Sequence, residues 1–203
     1  MASFLNQNWL RLEAYLNDGG VVMLPLVLVS LVMWILIMDR IFFFRRLRRK
    51  NMSARVAWDH IHCQRMPDPL EYRGIVSLLV AEYLEHRSGD RALDRFILDE
   101  RVAHINRRLK AYLAVIGVLA AIAPLLGLLG TVTGMIAAFD VLAIFGTGNV
   151  KALAGGISEA LITTQTGLLV AIPGLYMKGF LDRRADNLTQ RITTVGYYLR
   201  RHI

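Results

Sequence analysis

Residues 111–139 read AYLAVIGVLAAIAPLLGLLGTVTGMIAAF, 29 consecutive positions without a charge. As a helix rising 1.5 Å per residue the run extends about 44 Å, longer than the roughly 30 Å hydrocarbon core of a bilayer. Two other runs share its character. Residues 19–38 carry no charge over 20 positions, and residues 152–177 carry one, Glu159, over 26. The sequence therefore predicts an all-α membrane protein with three transmembrane helices, spanning 19–38, 111–145 and 152–178. A turn over 146–151 joins the last two, marked by its glycines and Asn149.

The charges say which way the chain threads. The 203 residues are 55% hydrophobic yet net +8, with 24 Lys+Arg against 16 Asp+Glu. Twenty-two of the 24 cations lie in two blocks, 39–110 and 178–203, on either side of the apolar runs. Such segregation excludes an ordinary soluble domain and a disordered chain. A nucleic-acid role is not expected either, because neither block brings stacking aromatics on a known framework. The positive-inside rule puts both blocks in the cytoplasm, which three spans allow only as N-out and C-in. The run 19–38 lacks a basic leader and ends in Asp39-Arg40 and five further cations, so it is read as a retained anchor. The run Arg45 to Lys50 is a topology signal at the headgroups, with lipid at that basic face. Cys63 is the only cysteine, so no intramolecular disulfide is possible.

Outside the spans, Leu5, Trp9, Leu12 and Leu16 step by helical spacing and predict an outer interfacial amphipathic helix over 1–18. The cytoplasmic loop domain, 39–110, is expected to be helical: a short helix including Val56 to Ile61, then a second from Leu70 to about His86. Ser88-Gly89-Asp90 is a stop followed by an N-cap. From Asp90 no breaker occurs before Pro124, which predicts one long helix rising straight into the second span. The tail, 179–203, repeats Leu181, Ala185, Leu188, Ile192, Val195 and Leu199 in a heptad-like seam, a cytoplasmic continuation of the third span.

Inside the spans the small residues stand out. Ala120, Ala123, Gly127, Gly130, Gly134 and Ala137 form a stripe, and the third span has Ala160, Gly167, Ala171 and Gly174. Small side chains let membrane helices approach closely, within a subunit first and between copies where surface remains. Glu159 is the informative residue. A carboxylate at mid-span costs on the order of 2.5–3.5 kcal/mol and by default marks an ion or proton path. The competing reading is a structural hydrogen bond to a neighbouring helix. At 100° per residue Thr163 and Thr166 lie within about 40° of Glu159, and Thr164 about 140° away. Thr131 and Thr133 add hydroxyls to the second span.

Other chemistry is scarce. No phosphate-binding loop is present, so work must draw on a gradient. All five histidines lie outside the spans, which speaks against an intramembrane haem or hydrolase. His60, His62 and Cys63 lack a fourth ligand at a usual spacing, so no metal and no cofactor are expected. The chain is not expected to be an enzyme.

Two stretches carry a resemblance: Ala123-Pro-Leu-Leu-Gly-Leu-Leu-Gly-Thr-Val-Thr-Gly134, and Gly155-Gly-Ile-Ser-Glu-Ala-Leu-Ile-Thr-Thr-Gln-Thr-Gly-Leu-Leu-Val-Ala-Ile-Pro-Gly174. Each resembles a signature of the ExbB/TolQ/MotA proton-channel family, and the wording is most like ExbB. The resemblance implies a homopentameric ring in the bacterial inner membrane. It implies an ExbD-like single-span partner that brings a membrane Asp into the pore, and a TonB-like protein driven by proton flow for outer-membrane transport of siderophores or vitamins. It also implies that Glu159, Thr131 and Thr164 line the proton pathway. Pro124 and Pro173 match the prolines of the two signatures. A TolQ-like subunit of the Tol-Pal system is the alternative cargo, and a non-conducting scaffold ring the alternative mechanism. MotA-like proteins have four spans, so a flagellar role is not implied.

Overall fold

The computed structural model describes residues 15, 19–48, 51–68, 70–146 and 149–203. The expected amphipathic helix over 1–18 lies, Tyr15 apart, outside these, as do Arg49, Lys50, Pro69 and, within the expected turn over 146–151, Thr147 and Gly148. Among the described residues there is no strand. Six helices lie wholly within the described residues, in order: α1 (Met23–Arg48), α2 (Ala54–His62), α3 (Ile75–His86), α4 (Arg91–Lys110), α5 (Leu113–Phe145) and α6 (Val150–His202). Among the described residues three stretches are long and apolar enough to cross a membrane, in α1, α5 and α6. The chain divides into two compact units, one drawn from residues 1–36 and 115–178, the other from 37–114 and 179–203.

The first unit holds the apolar parts of α1, α5 and α6. Its α5–α6 seam is made largely of small side chains, and many of its large ones point outward, although Met23, Leu26, Met33 and Ile116 are buried. Ala120, Ala123, Ala138, Ala160 and Ala171 are buried, while Leu125, Leu128, Ile136, Leu161, Leu169 and Ile172 are each more than half exposed. That inversion suits a solvent of lipid tails, which gives no reward for hiding Leu and leaves close packing as the source of cohesion. The sequence stripe ran to Ala137, but Ala138 is the buried residue and Ala137 faces out. One extra residue after Gly134 keeps the stripe on the contact face, because strict alternation of three and four averages 3.5 residues per turn and drifts off a helix of 3.6. Contacts of α5 with α6 run in opposite senses, from Gly134 against Gly156 and Ala160 to Ala120 near Gly174. Contacts of α1 with α6 run in the same sense, Gly20 to Glu159 and Met33 to Gly174. Three successive spans require this pattern.

The second unit is built like a soluble helical domain. Ser53 caps α2, accepting from the Val56 N–H at 3.4 Å, and Asp90 caps α4, accepting from Ala92 at 3.0 Å. Helix α3 starts at Ile75, not at Leu70. Leu70 and Glu71 lie in a turn closed by the Glu71 and Tyr72 N–H groups donating to the Asp68 carbonyl, and the Ser77 hydroxyl donates to the Tyr72 and Gly74 carbonyls at 3.1 and 3.2 Å. The seam of the tail is its buried face: Leu181, Ala185, Ile192 and Leu199 are fully covered and Val195 nearly so, with Leu188 half-buried.

The long helix expected from Asp90 into the second span is not continuous. It breaks at Ala111–Tyr112, where Tyr112 has φ 64°. A non-glycine residue in the left-handed region costs roughly 1–2 kcal/mol. Arg40, only 7% exposed, offsets it. Its guanidinium donates to the Arg108 carbonyl at 3.3 Å, one of those left free at the end of α4, and stacks 4.9 Å from the Tyr112 ring. No glycine or proline announces the break, which is why the sequence pattern runs through it.

Candidate functional site

Helices α5 and α6 meet along facing small residues. A Cβ on Gly134 would lie 2.8 Å from the Ala160 nitrogen and the Gly156 oxygen, and one on Gly167 would lie 2.7 Å from the Ala123 oxygen. A Cβ on Gly127 would meet the backbone of Thr163 and Thr164 at 3.0–3.1 Å, and one on Gly130 would run into the Thr163 side chain. These glycines are needed because the obstacle is mostly backbone, which cannot rotate aside. Pro124 and Pro173 both sit inside helices, half-buried. Neighbouring helices make such interruptions tolerable in a membrane span.

The polar residues are arranged around this seam on different sides. Thr163 is fully buried, its hydroxyl within 3.0 Å of the Glu159 and Ala160 carbonyls. Thr164 reaches across the seam: its Oγ1 is 3.2 Å from the Gly127 carbonyl of α5 and 3.2 Å from the Ala160 carbonyl of its own helix. Thr131 donates back to Leu128 at 2.6 Å, and Thr133 to Gly130 at 3.1 Å. Each hydroxyl thus spends its proton on a carbonyl and keeps acceptor capacity for a water or a protonated acid.

Glu159 is half-buried and faces neither Thr164 nor Thr131. Its carboxyl lies against Gly20, in the turn that precedes α1: a Cβ there would overlap Oε1 and come within 2.5 Å of Cδ. Seven residues on and on the same face of α6, Thr166 shares a 2.7 Å hydrogen bond with the Tyr15 hydroxyl. Within one protomer, then, the Glu159 face of α6 meets Tyr15 and Gly20, and the Thr164 face meets α5. Among the described residues no cation lies within ion-pair distance of Glu159. The sequence reading placed Gly19 and Gly20 inside the first span, 19–38, and nothing in local sequence links Gly20 to Glu159. Tyr15 was unreadable for the same reason.

Among the described residues, no three of His, Cys, Asp and Glu come together as metal ligands. His60 donates to the Arg65 carbonyl at 3.0 Å, and His62 packs 6.0 Å from Trp58.

A sequence model of the MotA/TolQ/ExbB proton channel family matches residues 68–194, which takes in α3, α4, α5 and most of α6. The chain belongs to that family. Among its relatives, the biopolymer transport protein ExbB-like 1 of Synechocystis sp. is 36% identical over 187 residues, covering 86% of this chain and 71% of the relative. The biopolymer transport protein ExbB of Salmonella typhimurium is 31% identical over 179 residues, 80% of this chain and 72% of the relative. That of Neisseria gonorrhoeae is 37% identical over 98 residues, 48% and 44% of the two chains. The chain is ExbB-like, and the matched region contains every polar residue singled out in the second and third spans.

Proposed function

We propose that this MotA/TolQ/ExbB-family chain is the ring-forming, proton-conducting subunit of an inner-membrane motor, with Glu159, Thr131 and Thr164 along the proton path. The observation that carries the reading is that one family match embraces both α5 and α6 while Glu159 is the single charge in the apolar run 152–177. The ExbB names of its relatives favour biopolymer transport over the Tol-Pal alternative.

Five copies enclose the path. The N-terminus lies outside, and residues 39–110 and 179–203 lie in the cytoplasm. An ExbD-like single-span protein supplies the mobile Asp, and a TonB-like protein carries the work to the outer membrane. A proton crossing 100 mV releases about 2.3 kcal/mol, so each working cycle takes several. Glu159 hydrates and tunes the path, while the threonine acceptors hold water or the partner's acid in an otherwise oily lumen.

The test is gradient-driven uptake in cells whose only copy of the subunit is Glu159→Gln. Uptake falls to the level of cells lacking the subunit, with the protein present at normal abundance in the membrane. Normal uptake would show that Glu159 is a scaffold residue.

A further inference from the structure

We propose that Gly20 is a positioning residue for Glu159, so that the turn opening the first span sets where the third span's carboxyl stands. The inference rests on the reading of Glu159 as part of the proton path. Three observations support it. Gly20 has φ +64° and its bare Cα is pressed against the carboxyl end of Glu159; an added Cβ would overlap Oε1 and crowd Cδ at 2.5 Å and Cγ at 3.2 Å. The turn is held in that shape by the Met23 N–H donating to the Gly20 carbonyl at 3.2 Å. Tyr15, five residues before Gly20, is itself hydrogen-bonded to Thr166 on the same face of α6.

The atoms that would be displaced decide what kind of residue Gly20 is. At Gly134 or Gly167 an added methyl meets backbone, so the helices themselves must part. At Gly20 it meets the free end of a flexible side chain. The fold survives by rotating Glu159 away, and the cost falls on the position of the carboxyl. Misplacing a reacting group by about 1 Å is enough to lose a factor of 10² in rate.

Proton flux through the complete complex in vesicles, with assembly and thermal stability recorded alongside, tests this with five variants. Gly20→Ala adds the methyl in a strained conformation; Gly20→Asn adds a side chain that the left-handed region tolerates. Both are expected to lower flux about tenfold or more with the complex intact. Glu159→Asp is shorter by one methylene and clears the added Cβ, so Gly20→Ala with Glu159→Asp should conduct like Glu159→Asp alone, a non-additive pair. Wild-type flux from Gly20→Asn, or losses that simply multiply in the double variant, would overturn the proposal. Glu159→Gln separates the two levels. If it conducts normally, the proton-path reading fails and takes the inference with it. If it is silent while both Gly20 variants conduct normally, the inference alone fails.

Discussion

At Thr164 the hydroxyl proton is shared between the Gly127 and Ala160 carbonyls, each 3.2 Å away. Neither contact is needed for helix formation, since both carbonyls belong to backbone that is already helical. Valine fills nearly the same volume without the lone pairs. Thr164→Val should therefore leave the protomer and its assembly intact while abolishing gradient-driven uptake; uptake and size-exclusion profile measured on one preparation check both halves. A variant that transports normally removes Thr164 from the path. The residue scale is also where sequence reading was weakest. Glu159 was legible because a lone charge in an apolar run is conspicuous, and Thr131 and Thr164 because the family wording marks them. Gly20 and Tyr15 were not, because their partners on α6 lie far away in sequence and neither residue type is unusual at a span's edge.

At the level of elements, two interfaces make opposite demands. The α5–α6 seam depends on absent side chains. Gly134→Ala places its methyl 2.8 Å from α6 backbone and should cost about 1–3 kcal/mol by overpacking, read as a lower unfolding temperature in detergent. Gly155→Ala, on the same helix as the seam but with nothing within 4 Å, should be neutral or slightly stabilising. The start of α4 depends on charge. Asp94, 2% exposed, accepts from the Ser88 N–H at 2.8 Å, the Ser88 hydroxyl and Arg87 at 3.1 Å, and the Gly89 N–H at 3.3 Å. Burial by itself pushes its carboxyl up, but these donors together bring it below the ordinary 3.8. The folded form thus holds its charge where the unfolded chain is already protonated. The stabilisation is complete above 3.8 and is lost as pH falls through the lowered value. Asp94→Asn should cost about 1–3 kcal/mol at neutral pH and lose its difference from wild type in acid. Tyr83 sets an alkaline limit: its burial first, and the nearby Asp94 charge second, push it from 10.0 up to about 12. The unfolded chain loses that proton first, so stability declines as pH climbs from 10 toward 12. Denaturation followed across pH checks both limbs. Helix existence was legible from apolar runs, caps and the tail seam. The break at Tyr112 was hidden because Arg40, distant in sequence, supplies the hydrogen bond and the stacking that a C-terminal glycine would normally make unnecessary.

For the whole molecule, the distribution of large side chains is the informative feature. An apolar unit whose α5–α6 seam is built of small residues, and many of whose Leu, Ile and Phe side chains lie outside, has that seam satisfied by close approach and offers the rest to lipid or to further copies. Three spans and two basic blocks were fully legible, since composition alone segregates them. The proposed ring and partners rest on the family resemblance, because one chain records neither its copy number nor a neighbour's acid. The central claim is that protons pass beside Glu159. Proton flux into vesicles carrying the purified complex, driven by an imposed potential and compared with Glu159→Gln at equal incorporation, tests it most directly. The account predicts gradient-dependent flux in the wild type and background flux in the variant; equal flux in both would contradict it.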